Sequence, residues 1–314
     1  MPAAAGAPAP FWAPTLGGAD LAAVRELTEA VAAADGVAAF SEPVMLDLAG
    51  SGPPAGTRHL LLRAPDAADG EGLAGYAHLD ETDPADRVVE LAVAPRWRSR
   101  GFGTALAAAL VADAGAAPTR AWAHGDHAAA ARLAERSGLR RARELWMMRR
   151  EPSAGPLPTR PVPEGVAIVP LRVGVDEPAV VAVNNRAFAW HPEQSGWTVE
   201  EVTVLEAQPW FDPAGFLLAR DTATGDLLGF HWTKVHERSA SVPEPLGEVY
   251  VVGVDPAAQG RGLGSLLTLA GLHHLAGRGL ETVVLYVEGD NAAAVATYLK
   301  LGFARAAVDV SYAR

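Results

Sequence analysis

Half of this 314-residue chain repeats the other half, and that repeat limits what it can fold into. One segment reads Glu90-Leu91-Ala92-Val93-Ala94-Pro95, followed by Arg98-Ser99-Arg100-Gly101-Phe102-Gly103. A later one reads Val251-Val252-Gly253-Val254-Asp255-Pro256, followed by Gln259-Gly260-Arg261-Gly262-Leu263-Gly264. Aligning the prolines brings the later glycines into step without a gap. A second block matches too, Gly125-Asp126-His127 through Gly138-Leu139 against Gly289-Asp290-Asn291 through Gly302-Phe303. Two ordered blocks at similar separation mark a duplication. The length suits two cores, since single domains usually run to roughly 100–200 residues.

The boundary is expected in Glu151–Gly165, where Pro152, Pro156, Pro158, Pro161 and Pro163 oppose a helix and favour an extended linker. The domains are then 1–150 and 166–314, with 151–165 between them. Each copy has the same order of elements. In the first, Asp20 is placed to cap a helix through Ala34, and Ser41–Leu48 forms a short second one. Strands follow at His59–Arg63, Leu73–Leu79 and Val88–Val93, then helix Gly103–Ala114, strand Thr119–Ala123, helix Ala128–Ser137 and strand Glu144–Met148. The second runs from strand Val166–Leu171 through helices Glu177–Phe188 and Thr198–Leu205. Strands Phe216–Arg220, Leu227–Val235 and Glu248–Val254 come next, then helix Gly264–Arg278, strand Thr282–Val287, helix Ala292–Leu301 and strand Ala307–Ser311. Hairpin strands followed by helices predict an α+β class, each copy a mixed, mostly antiparallel sheet flanked by helices.

Composition closes off several chemistries. There is no cysteine, so disulfides, thiolate nucleophiles and cysteine-held metals are excluded, and any thioester must belong to a partner molecule. A formal net charge of −11 opposes a phosphate-tracking nucleic-acid binder. No apolar run approaches the ~20 residues of a membrane helix. The start, Met1-Pro2-Ala3-Ala4-Ala5-Gly6, has no basic segment leading into an apolar one, so a frayed tail and a cytoplasmic location are expected. His124 and His127 flank a turn, and His273 and His274 are neighbours on a helix, pointing about 100° apart. No metal is expected. Trp12, Trp97 and Trp122 read as packing residues.

In both copies a strand ends at a proline and a loop of alternating glycines opens a helix. Glycines let backbone approach a ligand, and N–H groups at a helix start point at anionic oxygens. Both loops resemble the R/Q-x-x-G-x-G/A pyrophosphate loop of the GNAT acetyltransferases. There is no G-K-[ST] of a P-loop. The resemblance implies two tandem GNAT domains that bind acetyl-CoA. In the first copy its contacts are expected at Leu91, Ala92, Val93, Ser99, Arg100, Gly101, Phe102, Gly103 and Thr104. In the second they fall at Val252, Gly253, Val254, Gln259, Gly260, Arg261, Gly262, Leu263, Gly264 and Ser265, with Asn291, Ala292, Ala293, Ala294, Val295 and Ala296 at the next helix start.

Four stretches of the second copy resemble one branch of that family, the two-domain mycothiol synthases. They are His191-Pro192-Glu193-Gln194-Ser195-Gly196-Trp197-Thr198, Gly229-Phe230-His231-Trp232-Thr233-Lys234, Gly247-Glu248-Val249-Tyr250-Val251-Val252-Gly253-Val254-Asp255-Pro256, and Leu285-Tyr286-Val287-Glu288-Gly289-Asp290-Asn291. This resemblance implies a monomeric enzyme acting on small molecules, acetyl-CoA and cysteinyl-glucosaminyl-inositol. It implies acceptor contacts at Glu42, Glu193, Lys234, Glu248 and Tyr286, the last four converging where the strands splay.

Acetyl transfer from a thioester to an amine needs a base, because an α-amine with a pKa near ~8 is mostly protonated at neutral pH. It also needs donors for the oxyanion and an acid for the departing thiolate. Glu248 reads from the residues alone equally as a base or as a solvated glutamate at a strand start. The resemblance makes it the base and Tyr298 the acid. Counting from the aligned prolines puts Arg87 at the place of Glu248, and counting from His127 puts Ala134 at that of Tyr298. The first copy is therefore expected to bind acetyl-CoA without turning it over. The competing readings are a tandem GNAT acting on an aminoglycoside, a polyamine or a protein N-terminus, and a non-catalytic acyl-CoA sensor.

Overall fold

A computed structural model describes residues 9–50, 56–65, 72–189, 196–238, 242 and 244–314. The first copy contains β1 (Phe11–Ala13), α1 (Gly18–Asp35), α2 (Glu42–Leu48), β2 (Thr57–Arg63), β3 (Leu73–Asp80), β4 (Arg87–Val93), α3 (Phe102–Ala114), β5 (Thr119–Ala123), α4 (Ala128–Arg136) and β6 (Arg140–Arg150). The second contains β7 (Val166–Pro170), α5 (Glu177–Ala187), α6 (Val199–Glu206), β8 (Phe216–Asp221), β9 (Leu227–His236), β10 (Leu246–Val254), α7 (Leu263–Gly277), β11 (Val283–Glu288), α8 (Ala292–Lys300) and β12 (Ala304–Ala313). A single 3₁₀ turn follows β4 and β10 at Pro95–Trp97 and Pro256–Ala258, so the duplication holds down to this detail.

The chain divides into two units. One comprises Met1–Trp146, Glu288–Asp290 and Ala307–Arg314, the other Met147–Val287 and Asn291–Ala306. The C-terminal residues therefore complete the first unit. In that unit the strands run β1-β2-β3-β4-β5-β12, antiparallel except for the β4–β5 pair. In the other they run β7-β8-β9-β10-β11, antiparallel except for β10–β11. Among the described residues no helix is long and apolar enough to cross a membrane.

Local sequence accounts for the helices. In α1, Val24, Leu27 and Val31 recur at helical spacing and are buried, and Gly36 ends the helix at φ +71°. The expected cap is corrected: Gly17 takes the N-cap, while Asp20 sits in the first turn and holds Arg63 at 2.6 Å. Thr198 and Glu201 form a reciprocal capping box that starts α6.

Each unit has its own core. In the first, Leu60, Leu61 and Leu62 of β2 are all fully buried, in one cluster with Val24, Leu27 and Val31 of α1 and Leu106 and Leu110 of α3. In the second, Trp232 stacks on Phe216 at 4.5 Å under Val180, Val183 and Val202 of α5 and α6. One row across the ladders separates the copies. The second unit sets Phe216, Trp232 and Val251 side by side, where the first sets His59, His78 and Glu90.

Candidate active site

The parallel strand pair positions the site in both units. In the second, β10 and β11 pair from Gly247↔Val283 to Val249↔Leu285, and β10 then runs on to Val254. The β11-facing edge of Val252–Val254 is thereby freed from the ladder. On its other side β10 keeps β9, with a register shift between Val249 and Val251 that leaves Tyr250 as an extra, bulged residue. In the first unit β4 and β5 pair from Arg87↔Thr119 to Glu90↔Trp122, but β3–β4 runs from Gly75↔Val93 to Asp80↔Val88 without a shift. The bulge belongs to one copy.

That extra residue changes the comparison of copies. Matching the rungs, the counterpart of Glu248 is Val88 and not Arg87, because counting back from the prolines passes over Tyr250. The first copy has no carboxylate there under either count.

Glu248 is buried, directly opposite Lys234 of β9. Its Oε2 lies 2.5 Å from His236 Nε2. Lys234 is buried as well, its Nζ 4.7 Å from the centroid of Trp210 and 4.9 Å from that of Tyr250. Ring faces attract a cation, so the bulged tyrosine helps hold this ammonium. Tyr286 lies on β11 two residues past Val284, the partner of Glu248, and is 47% exposed. Of the expected acceptor contacts, Lys234 and Glu248 are thus brought together. Glu42 is the first residue of α2 in the first unit, and Glu193 lies outside the described residues. The sequence reading missed His236, Trp210 and Tyr250. A histidine two residues past Lys234 on a strand was the available signal for the first.

Tyr298 is half-buried on α8, edge-on to Phe303 at 5.9 Å. Burial pushes its phenol up to about 12, so it holds its proton at neutral pH. Asn291 caps α8 by accepting from Ala294 N–H at 3.1 Å. The loop before α7 takes positive φ at Gly260 and Gly262 (+78° and +75°). A Cβ on Gly262 would lie 2.7 Å from the Arg160 guanidinium. His231 makes a further close approach: it is fully buried, bonds Leu267 O through Nδ1, and burial lowers it to about 4.

The first unit holds a cavity of about 510 Å³ between the parted ends of β4 and β5. Leu91, Ala92, Val93, Ser99, Gly101, Gly103 and Thr104 of the expected set line it. Phe102 is instead buried in the core, and Arg100 lies over the Trp97 ring at 5.1 Å. Ser99 stands where the second copy has Gly260, yet takes φ +60°.

Beside this cavity, buried polar groups replace apolar core. Glu90 accepts from Ser41 N–H at 2.7 Å and from its hydroxyl at 2.5 Å, and bonds His124 at 2.9 Å. His124 also meets Asp309 at 3.2 Å, and Gly125 N–H donates to the same carboxylate. Burial acts against the charge on both partners. The pairing overrides it, holding Glu90 below the usual carboxylate range and His124 up at about 10. Further along the row, His78 Nε2 lies 2.8 Å from Asp47 Oδ2, and His59 Nδ1 2.8 Å from the Tyr76 hydroxyl. The ligand atoms of Asp47, His59 and His78 lie within 4.8 Å of one another, and the two bonds make the cluster a hydrogen-bonded one.

The family model described as Acetyltransferase (GNAT) family matches this chain twice, over residues 39–139 and 184–303. The chain belongs to the GNAT acetyltransferase family. As such it is an acyl-CoA-dependent N-acetyltransferase with two tandem GNAT domains. It is 55% identical to the mycothiol acetyltransferase of Nocardia farcinica over 306 residues, covering 96% of each chain. It is 47% identical to that of Mycobacteroides abscessus, covering 96% of this chain and 99% of that one. Among solved GNAT structures, a GCN5-related N-acetyltransferase from Sphaerobacter thermophilus superposes with a TM-score of 0.72 at 24% identity, covering 97% and 95% of the two chains. A tandem GNAT protein of the clavulanic acid pathway gives 0.73 at 19%, covering 97% and 98%. These two bear on the fold alone.

Proposed function

We propose that this chain transfers the acetyl group of acetyl-CoA to the cysteinyl amine of 1D-myo-inositol 2-(L-cysteinylamino)-2-deoxy-α-D-glucopyranoside, giving mycothiol and CoA. The likeness to mycothiol acetyltransferases along nearly the whole chain carries this reading. The chemistry is assigned to the second unit. Acetyl-CoA lies with its pyrophosphate on the loop Gln259–Gly264 and its thioester where β10 leaves β11. Glu248 takes a proton from the ammonium, and the freed amine attacks the thioester carbonyl. Backbone N–H groups of Val252–Val254 meet the oxyanion; as the C–S bond breaks, Tyr298 gives its proton to the departing thiolate, and the second proton shed by the nitrogen restores the phenol. Lys234 and Glu248 suit an acceptor rich in hydroxyls and carrying an ammonium. With no cysteine in the chain, no thiol of the protein itself can carry the acetyl group.

The first unit, on this reading, binds a second acetyl-CoA without turning it over. Its glycine loop and cavity support binding, and Val88 and Ala134 at the places of Glu248 and Tyr298 support the lack of turnover. The deciding experiment offers cysteinyl-glucosaminyl-inositol, an aminoglycoside, a polyamine and a peptide, follows CoA release, and locates the acetyl group by mass spectrometry. N-acetylation of the cysteinyl group is expected. Acetylation on sulfur, or a preference for another amine, would overturn the proposal.

A further inference from the structure

We propose that His236 is a positioning residue for Glu248, a role that rests on the reading of Glu248 as the base. His236 ends β9 opposite Leu246, and Glu248 follows two residues along β10. The two are diagonal neighbours on one face of an antiparallel pair, a spacing long side chains bridge. They do so here: His236 Nε2 lies 2.5 Å from Glu248 Oε2. The carboxylate is 7% exposed and the imidazole 29%, so the histidine stands on the solvent side of a buried acid. Among the described residues, the side-chain hydrogen bond to Glu248 comes from His236, at Oε2.

The charge around the pair gives the bond a direction. Lys234 faces Glu248 from the opposite rung, with its ammonium against the rings of Trp210 and Tyr250. As a base Glu248 offers only acceptor oxygens, so on this reading the proton between the pair sits on Nε2. A donor on Oε2 fixes the carboxyl rotamer and leaves Oε1 to meet the acceptor's ammonium. In the step one N–H bond of the ammonium breaks and one O–H bond forms at Oε1. The imidazole keeps its proton throughout.

The duplication is an internal control. At the rung of Glu248 and Lys234 the first copy has Val88 and Asp80, and two residues past Asp80 it has Thr82, whose hydroxyl and N–H bind Asp80 in a turn. The glutamate and its histidine occur together in one copy and are absent together from the other.

The test compares His236→Leu, which removes the donor, with His236→Gln, which restores an N–H at similar reach. Acetyl-CoA binding by calorimetry serves as the check on folding. His236→Leu is expected to lower kcat roughly 10- to 100-fold, the weight of one hydrogen bond to a charged group, with the KM for acetyl-CoA unchanged. A bond donated to a carboxylate favours its charged form, so the acid limb of the kcat/KM profile moves to higher pH in His236→Leu. His236→Gln recovers most of the rate and the original limb. Wild-type kcat and pH profile in a folded His236→Leu would overturn the proposal, as would a Gln variant no better than Leu. Glu248→Gln separates this from the reading beneath it. Wild-type turnover there removes the base itself, whereas loss there with an intact His236→Leu removes only the role of His236.

Discussion

Glu248 faces Lys234 across the β9–β10 ladder, a carboxylate against an ammonium on one rung of a sheet whose duplicate carries Val88 against Asp80. The first unit forms the same run of strands with an apolar residue, Val88, in the place of Glu248. Predictions about turnover therefore begin at this rung.

Glu248→Gln and Tyr298→Phe should each lower kcat by roughly 10²–10⁴, the range for a lost acid or base, with little change in acetyl-CoA affinity. Initial rates at saturating acetyl-CoA check this, and a folded double variant at wild-type speed would refute the assignment.

Lys234→Ala should raise the KM for the acceptor more than that for acetyl-CoA, because its ammonium sits among side chains and away from the glycine loop. Varying each substrate in turn at a fixed level of the other separates the two effects. An increase confined to acetyl-CoA would place Lys234 on the wrong substrate.

The two glycine loops should respond unequally. Gly262→Val meets both a left-handed φ and the Arg160 guanidinium, and blocks backbone approach to the pyrophosphate, so activity should be abolished. Gly101→Val, at φ +90°, should weaken one acetyl-CoA site while most turnover survives. Calorimetry should find two sites per chain in the wild type. A single site would withdraw binding from the first unit.

The His124 cluster should show in stability against pH. Its folded pKa, about 10, lies above the ordinary 6.5, so its contribution is full below about pH 6.5 and gone once pH passes about 10. His124→Gln should flatten the fall in Tm between those limits. His124→Ala should cost about 3–5 kcal/mol near neutral pH, because Glu90 is left buried beside an empty space. Thermal melts across the range decide it, and parallel curves for wild type and His124→Gln would sink the idea.

Periodicity and punctuation made the elements legible. Thr119–Ala123 and Phe102–Ala114 lie within one residue of their expected bounds, because apolar alternation and flanking glycines mark them locally. What stayed hidden was non-local. The bulge at Tyr250 has no sequence mark, and it moved the counterpart of Glu248 from Arg87 to Val88. The bond of His124 to Asp309 spans 185 residues, and no local pattern foretells it. The residues alone left Glu248 open as a solvated strand-start glutamate, and its burial beneath His236 came only with the fold. The aromatic seat of Lys234 needed the rings of Trp210 and Tyr250 to be placed in space.

The assignment of Ala307–Arg314 to the first unit reaches into how the molecule is made. On the ribosome the first copy emerges early, but its strand β5 must wait for β12, and His124 for Asp309 185 residues later. A gene cut at the proline-rich segment would yield an N-terminal fragment lacking its closing strand and one arm of its buried ion cluster. The first unit is therefore discontinuous in sequence, and its last strand is borrowed from the end of the second copy.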